Sequence, residues 1–266
     1  MRIALVDSGI GLLSTAAALR EARPDADLIL SMDPDHMPWG PRSAAEIGQR
    51  ALAGAQTAMR DSPDAVVVAC NTASVHALTI LRAELEPGIP VIGTVPAVKP
   101  AADRGGPIAI WATPATTGSP YQRELVERFA HGVPVAPVAC HGLAEAVDTA
   151  DPGAVHDAIA RATERTPVET SAVVLGCTHY DLVSEHIGAA LGHRPALLTA
   201  AGAVAAQTLR RLNSSARPQA PHTGTLTVYA SGRLATLPPA ALVYPAGALL
   251  ARSPNATGRQ AGASSG

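Results

Sequence analysis

The chain has 266 residues, 47% hydrophobic and 16% charged, with a formal net charge of −2. This is the balance of a soluble globular protein with room for one substantial core or for two smaller domains. Basic runs are absent and aromatics make up only 3%, which argues against nucleic acid or anionic membrane as a partner. No apolar stretch reaches the roughly 20 residues of a membrane span.

The opening run Ile3 to Val6 meets Asp7 too soon for a signal peptide, so a cytoplasmic location is expected. It reads as a buried strand, followed by Asp7-Ser8-Gly9-Ile10-Gly11 and by apolar residues at helical spacing. That strand-to-helix turn offers either a cap by Asp7 or Ser8, or free backbone amides for an anion. Leu28 to Ser31 is a second strand, opening into a loop stiffened by Pro34, Pro38 and Pro41. In that loop Trp39 is read as a lid over a pocket or as packed at the surface. Asp33, Asp35 and His36 match no standard metal-ligand spacing, so no metal site is expected. Ser43 with Glu46 forms a capping box for a helix to about Met59.

Ala65 to Ala69 is a continuous apolar strand of the parallel, doubly buried kind. Cys70-Asn71-Thr72-Ala73-Ser74 then starts a helix expected to run to about Leu85. Pro90 to Gly93 is a fourth strand. From Pro107-Ile108-Ala109-Ile110-Trp111 the pattern begins again, with a hydroxyl-rich turn from Thr113 to Ser119, a helix Tyr121 to Phe129 and a strand region Val133 to Cys140. Helical territory follows from Leu143 and over Val155 to Thr163. Ala172 to Leu175 is the strand that ends in Gly176-Cys177-Thr178-His179-Tyr180. A helix from about Leu182, a strand Ala196 to Thr199 and a helix Ala201 to Leu212 complete the series.

The two series run in parallel. Ile3 and Ile108 lie 105 apart (108 − 3), and Cys70 and Cys177 lie 107 apart (177 − 70). The expected fold is therefore α/β, two similar lobes of parallel strands flanked by helices with the active site between them. The first lobe is assigned 1–95, with a possible return of the chain near 205–250, and the second 96–212. Residues 213–252 are read as an irregular C-terminal segment with a β-like run from Thr225 to Tyr229, and 253–266 as a disordered tail.

Three cysteines form no disulfide framework, and free thiols fit a reducing compartment better. Two of them end equivalent strands. Such a pair can form a disulfide, hold a metal or act as two acid–base groups; neither CxxC nor zinc-ligand spacing is present, which leaves proton transfer from opposite faces of a carbon. Each thiol needs help to ionise, and Asp7 and His179 are placed to give it. Lys99 is the sole lysine, so a pyridoxal Schiff base has one possible site and a mechanism without cofactors is favoured.

Asp7-Ser8-Gly9, Pro38-Trp39-Gly40-Pro41, Cys70-Asn71-Thr72-Ala73-Ser74, Thr113-Pro114-Ala115-Thr116 and Gly176-Cys177-Thr178-His179-Tyr180 carry a resemblance over about residues 1–212. By them the chain resembles the aspartate/glutamate racemase family, and within it the glutamate racemases most. The resemblance implies a cofactor-independent isomerase that interconverts L- and D-glutamate and supplies D-glutamate for peptidoglycan, with a small amino acid as its partner and a homodimer as its assembly. It implies Cys70 and Cys177 as the catalytic acid/bases, tuned by Asp7 and His179, and Asp148 as support for the histidine. Asp7, Ser8, Asn71, Thr72, Thr116, Thr178 and His179 would bind the substrate, with Trp39 and Gly40 at its side-chain carboxylate. Leu12 stands where the family usually has glycine, which would narrow the first turn, and Trp39 where it has tyrosine. The alternatives are a relative that racemises aspartate or another amino acid, and a non-catalytic metabolite-binding relative.

Overall fold

The computed structural model describes residues 1–254. The tail read as disordered lies outside the described residues from position 255 onward. Ten strands build two sheets: β1 (Arg2–Asp7), β2 (Asp27–Met32), β3 (Ala65–Val68), β4 (Val91–Gly93), β5 (Ile108–Ala112), β6 (Val135–Ala139), β7 (Ala172–Leu175), β8 (Ala196–Leu198), β9 (Leu226–Ala230) and β10 (Arg233–Ala235). Thirteen α-helices join them: α1 (Leu13–Ala22), α2 (Ala44–Ala58), α3 (Asn71–His76), α4 (Leu78–Leu85), α5 (Val98–Ala102), α6 (Pro120–Phe129), α7 (Leu143–Thr149), α8 (Pro152–Glu164), α9 (Thr178–Asp181), α10 (Ser184–Ala190), α11 (Ala201–Arg211), α12 (Pro239–Leu242) and α13 (Pro245–Ala251).

The first sheet has the order β10-β9-β2-β1-β3-β4 and the second β6-β5-β7-β8. All pairings are parallel except β9 with β10. Stripped of β9 and β10, both sheets run second, first, third, fourth in their own series, so β3 and β7 occupy equivalent places. Each carries a cysteine beyond its carboxyl end. The strands are apolar without alternation because both faces are covered. On β1, Ile3 and Leu5 join one core while Ala4 and Val6 join another packed on α2. On β5 and β7, Ala109, Trp111, Val173 and Leu175 enter the same core as Ile3 and Leu5, so one apolar body lies between the sheets. Pro137 falls in β6, an edge strand of its sheet, where a missing N–H costs least.

Two expectations need correction. The helix expected from Cys70 to Leu85 is broken at Ala77 into α3 and α4. Ser74 ties α3 to the sheet, giving its hydroxyl to Val68 O (3.1 Å) and accepting the Thr94 N–H (2.9 Å). The irregular reading of 213–252 also fails. Leu226 and Val228 alternate with polar neighbours, and β9 pairs with β2, whose outer edge would otherwise be open. Tyr244 anchors the start of α13 by donating to Val147 O (2.7 Å). Prolines masked this order in the sequence, yet Pro239 and Pro245 sit at helix starts, where the missing N–H has no helical partner to lose.

One buried group is badly matched to its surroundings. Asp181, the last residue of α9, has an Oδ1 that is buried without a hydrogen-bond partner, and burial lifts its pKa to about 8. A carboxyl whose folded pKa lies above its unfolded value stabilises the fold most when protonated. Its contribution is therefore lost as pH rises from about 4 to about 8. Asp181→Asn is expected to raise the melting temperature, and the gain over wild type should widen between pH 5 and pH 8. A gain that shrinks over that range in calorimetry would contradict the assignment.

Candidate active site

Both sheets turn the carboxyl ends of their strands towards one cleft, the place where open α/β sheets present chemistry. Ser8 follows β1, Cys70 with Asn71 and Thr72 follows β3, Thr113 and Thr116 follow β5, and Cys177 with Thr178 and His179 follows β7. The remaining wall is Met37, Pro38, Trp39 and Gly40 from the loop after β2, with Ala144 and Gly176. Of the residues expected at the site, Asp7 and Asp148 stand behind this lining.

The first turn is shaped by what lies across from it. A Cβ on Gly11 would come within 2.5 Å of Thr178 Oγ1 and 2.6 Å of His179 Nδ1, and one on Gly9 would collide with Asp148. These two glycines let the β1 turn touch the end of β7. Leu12 does not narrow the turn: it is fully buried in the shared core. Neither Asp7 nor Ser8 caps α1. Asp7 instead accepts the Ser8 N–H (2.6 Å) and the Thr178 hydroxyl (3.1 Å), and the Ile10 N–H goes to Asp148 Oδ1 (2.8 Å).

The two cysteines are free, as is Cys140, and they face different partners. Burial pushes the Cys70 thiol well up, helped by the negative charge of Asp7 and by Cys177, although the N–H groups of Ala73 and Thr72 favour its thiolate. Asp7 is itself raised by burial, which outweighs the charge of His179 and the hydrogen bonds from Ser8, Thr178 and Cys70. Cys177 Sγ lies 3.9 Å from His179 Nδ1. The other ring nitrogen, Nε2, is 3.1 Å from Asp148 Oδ1. Burial opposes a charge on His179, but Asp148, Cys177 and Asp7 outweigh it and hold the imidazole pKa well above its ordinary value. Burial likewise opposes the charge on Asp148, and His179 with the Ile10 N–H overcomes it, so Asp148 is lowered.

Asn71 is 5% exposed and its Oδ1 has no hydrogen-bond partner, an acceptor held ready in a polar cleft. The Thr113 and Thr116 hydroxyls lie 3.2 Å apart. Trp39 is 1% exposed and gives its indole N–H to Asp33 (3.1 Å), so it is a wall of the cleft and not a surface residue. His36 pairs with Asp33 (2.9 Å), and no group of three metal-ligating side chains occurs among the described residues. Lys99 lies outside the cleft, paired with Asp103 at 2.8 Å. The sequence reading missed Thr113, whose hydroxyl meets that of Thr116, and Met37, Pro38, Ala144 and Gly176, which shape the cleft without carrying a chemical signal.

Residues 12–208 match the family described as Asp/Glu/Hydantoin racemase. The chain is 39% identical over 211 residues to a glutamate racemase of Roseiflexus sp. (strain RS-1), covering 76% of each chain. It is 33% identical over 256 residues to one of Sphingopyxis alaskensis, covering 92% of this chain and 94% of the relative. Among solved structures it resembles Escherichia coli glutamate racemase in complex with L-glutamate and the activator UDP-MurNAc-ala, with a TM-score of 0.78 at 29% identity over 94% of this chain and 92% of that one.

Asp148 is the partner that keeps His179 charged against its burial. In Asp148→Asn the raising interaction is removed and burial remains, so His179 should lose its proton at a lower pH than in wild type. An imidazole NMR titration reads this directly, and an unchanged or higher midpoint in the variant would contradict it.

Proposed function

The chain belongs to the Asp/Glu/hydantoin racemase family, and on that premise we propose that it interconverts L- and D-glutamate by two-base proton transfer at the α-carbon, without a cofactor. The observation that carries this reading is the pair of free cysteines at equivalent strand ends of one cleft, each with its own acid–base partner. Cys70 has Asp7, and Cys177 has His179 backed by Asp148.

The sulfur on one face, as thiolate, takes the α-hydrogen and becomes a thiol. The thiol on the other face delivers its proton to the carbanion and becomes a thiolate. The configuration inverts and the two sulfurs exchange roles. Cys70 rests as a thiol, since burial and Asp7 hold its proton on. For the direction in which Cys70 is the base, Asp7 receives that proton, and its own raised pKa makes it a stronger base than an exposed aspartate. His179 serves Cys177 differently: already protonated and held so by Asp148, it places a positive charge 3.9 Å from Sγ, where the thiolate forms.

An α-hydrogen next to a carboxylate is a very weak acid, so charge developing on that carboxylate has to meet donors already in place. Thr72 and Thr116 carry the hydroxyls that supply them, while Ser8 and Thr178 give theirs to Asp7 and line the cleft beside it. The unpartnered Oδ1 of Asn71 accepts from the substrate ammonium, and Trp39 with Gly40 closes the end at the side-chain carboxylate. D-glutamate made in this way supplies peptidoglycan. A cytoplasmic location goes with this reading, where three buried free thiols stay reduced.

In deuterated solvent without added cofactor, wild type is expected to exchange the α-hydrogen of both glutamate enantiomers. Cys70→Ala and Cys177→Ala should each lower racemisation by about 100-fold or more. Either variant racemising near the wild-type rate would overturn the two-base assignment, and exchange of aspartate but not glutamate would move the substrate.

A further inference from the structure

Trp39 separates two spaces. On one side is the substrate cleft, and on the other a cavity of about 450 Å³ whose walls include Asp33, Arg50, Ser231 and Arg233. Trp39 is 1% exposed and its ring packs in a core cluster with Val6, Ile47 and Tyr229, so what remains to be fixed is its one polar atom, the indole N–H at the edge of that cavity. Its position depends on its hydrogen bond to Asp33.

Asp33 is arranged for that task. It follows β2 directly, and its N–H goes to Ser8 O (3.2 Å), tying it to the turn that enters the cleft. One carboxylate oxygen, Oδ1, accepts from the Ser231 hydroxyl (2.9 Å) and meets His36 Nδ1 (2.9 Å). The other, Oδ2, accepts the Trp39 indole N–H (3.1 Å) and has Arg50 at 3.6 Å. Burial raises the Asp33 pKa, but His36, Ser231 and Trp39 outweigh it and the group is lowered, hence ionised at neutral pH. Ser231 is set in turn by the β9–β10 turn: its N–H donates to Met32 O (2.8 Å), and its hydroxyl oxygen accepts the Asp35 N–H (3.1 Å).

We propose that Asp33 is a positioning residue that fixes the length of the substrate cleft by holding Trp39 away from the cavity behind it, and that the β9–β10 turn, through Ser231, holds Asp33. The inference rests on the racemase reading for its substrate. It gives the C-terminal hairpin a part in specificity, reached from Ser231 through Asp33 to Trp39. Loosening the brace lets the indole retreat, so the end of the cleft gains the room of about one methylene. The wild-type preference for glutamate over 2-aminoadipate, the dicarboxylic amino acid one methylene longer, should then weaken.

The test compares kcat/KM for the two amino acids in wild type, Ser231→Ala, Asp33→Asn and Trp39→Phe. Ser231→Ala removes one donor at an exterior turn and should lower the glutamate preference about threefold, Asp33→Asn about tenfold, mostly through a raised KM for glutamate. Phenylalanine has no indole N–H, so in the Trp39→Phe background neither second change should alter the preference further. A purely structural role for Asp33 predicts additive losses in that background and an unchanged preference, and that result would overturn the proposal. Should Asp33→Asn not fold, Ser231→Ala alone decides it. A separate readout stands apart from activity: with Trp111→Phe leaving Trp39 as the sole indole, Ser231→Ala should shift its emission to the red. That shift in a protein that exchanges no amino acid would sink the racemase reading and leave the brace standing, whereas exchange with no shift would sink the brace.

Discussion

Two carboxylates, Asp7 buried and Asp148 partly buried, each accept a hydrogen bond from the opposite half of the chain and hold this site together. Asp7 follows from the first series of strands and accepts a hydroxyl from Thr178 of the second. Asp148 belongs to the second and accepts an N–H from Ile10 of the first. A buried charge left without partners is costly, and hydrogen bonds to ionised groups are each worth about 1.5–3 kcal/mol. The reciprocal exchange therefore fixes the β1 turn against the end of β7, and with it the placement of Cys70 relative to Cys177. Gly9 and Gly11 are the steric condition for this approach, since side chains there would displace Asp148, Thr178 and His179.

The same carboxylates make the two thiols unequal. Asp7 adds negative charge beside Cys70 and helps keep it protonated, while Asp148 maintains a positive imidazole beside Cys177. A two-base racemase needs one proton shared between two sulfurs, with one sulfur loaded and the other empty at any moment. The partners differ in charge, an acid beside Cys70 and an imidazolium beside Cys177, and the cleft lining contains no Lys or Arg.

Much of this was legible in the sequence because it is local. Strands buried on both faces read as unbroken apolar runs, and the residues just beyond them fall at the carboxyl edge whatever the rest of the chain does. Cys70, Cys177, Asn71, Thr178 and His179 were placed by that rule alone. Asp148 needed the family resemblance, because nothing in its own surroundings marks it out. What stayed hidden depends on distant pairing. Asp33 and Ser231 lie 198 positions apart, and their contact exists only because β9 closes the open edge of β2. Read locally, Asp33 looked like one acid in a polar loop, and the chain after the β-like run Thr225 to Tyr229 looked irregular, since prolines that start helices resemble prolines that prevent them.

A cleft lined by neutral polar groups and a single imidazolium, His179, has few donors to offer, and neutral donors work only if they are already aimed. Rigid walls are then a requirement of the chemistry as well as of the fold. The hydroxyls answer this on one side, sitting on strand ends inside closed hydrogen-bond patterns. The wall at Trp39 is built differently, on a loop outside the sheet with a cavity at its back, and it borrows rigidity from Asp33 and the hairpin beyond it. On the proposed function, the thiols on the sheets and the wall on a braced loop would vary separately, a change in Trp39 or its brace altering which substrate fits while both thiols and their partners keep their places.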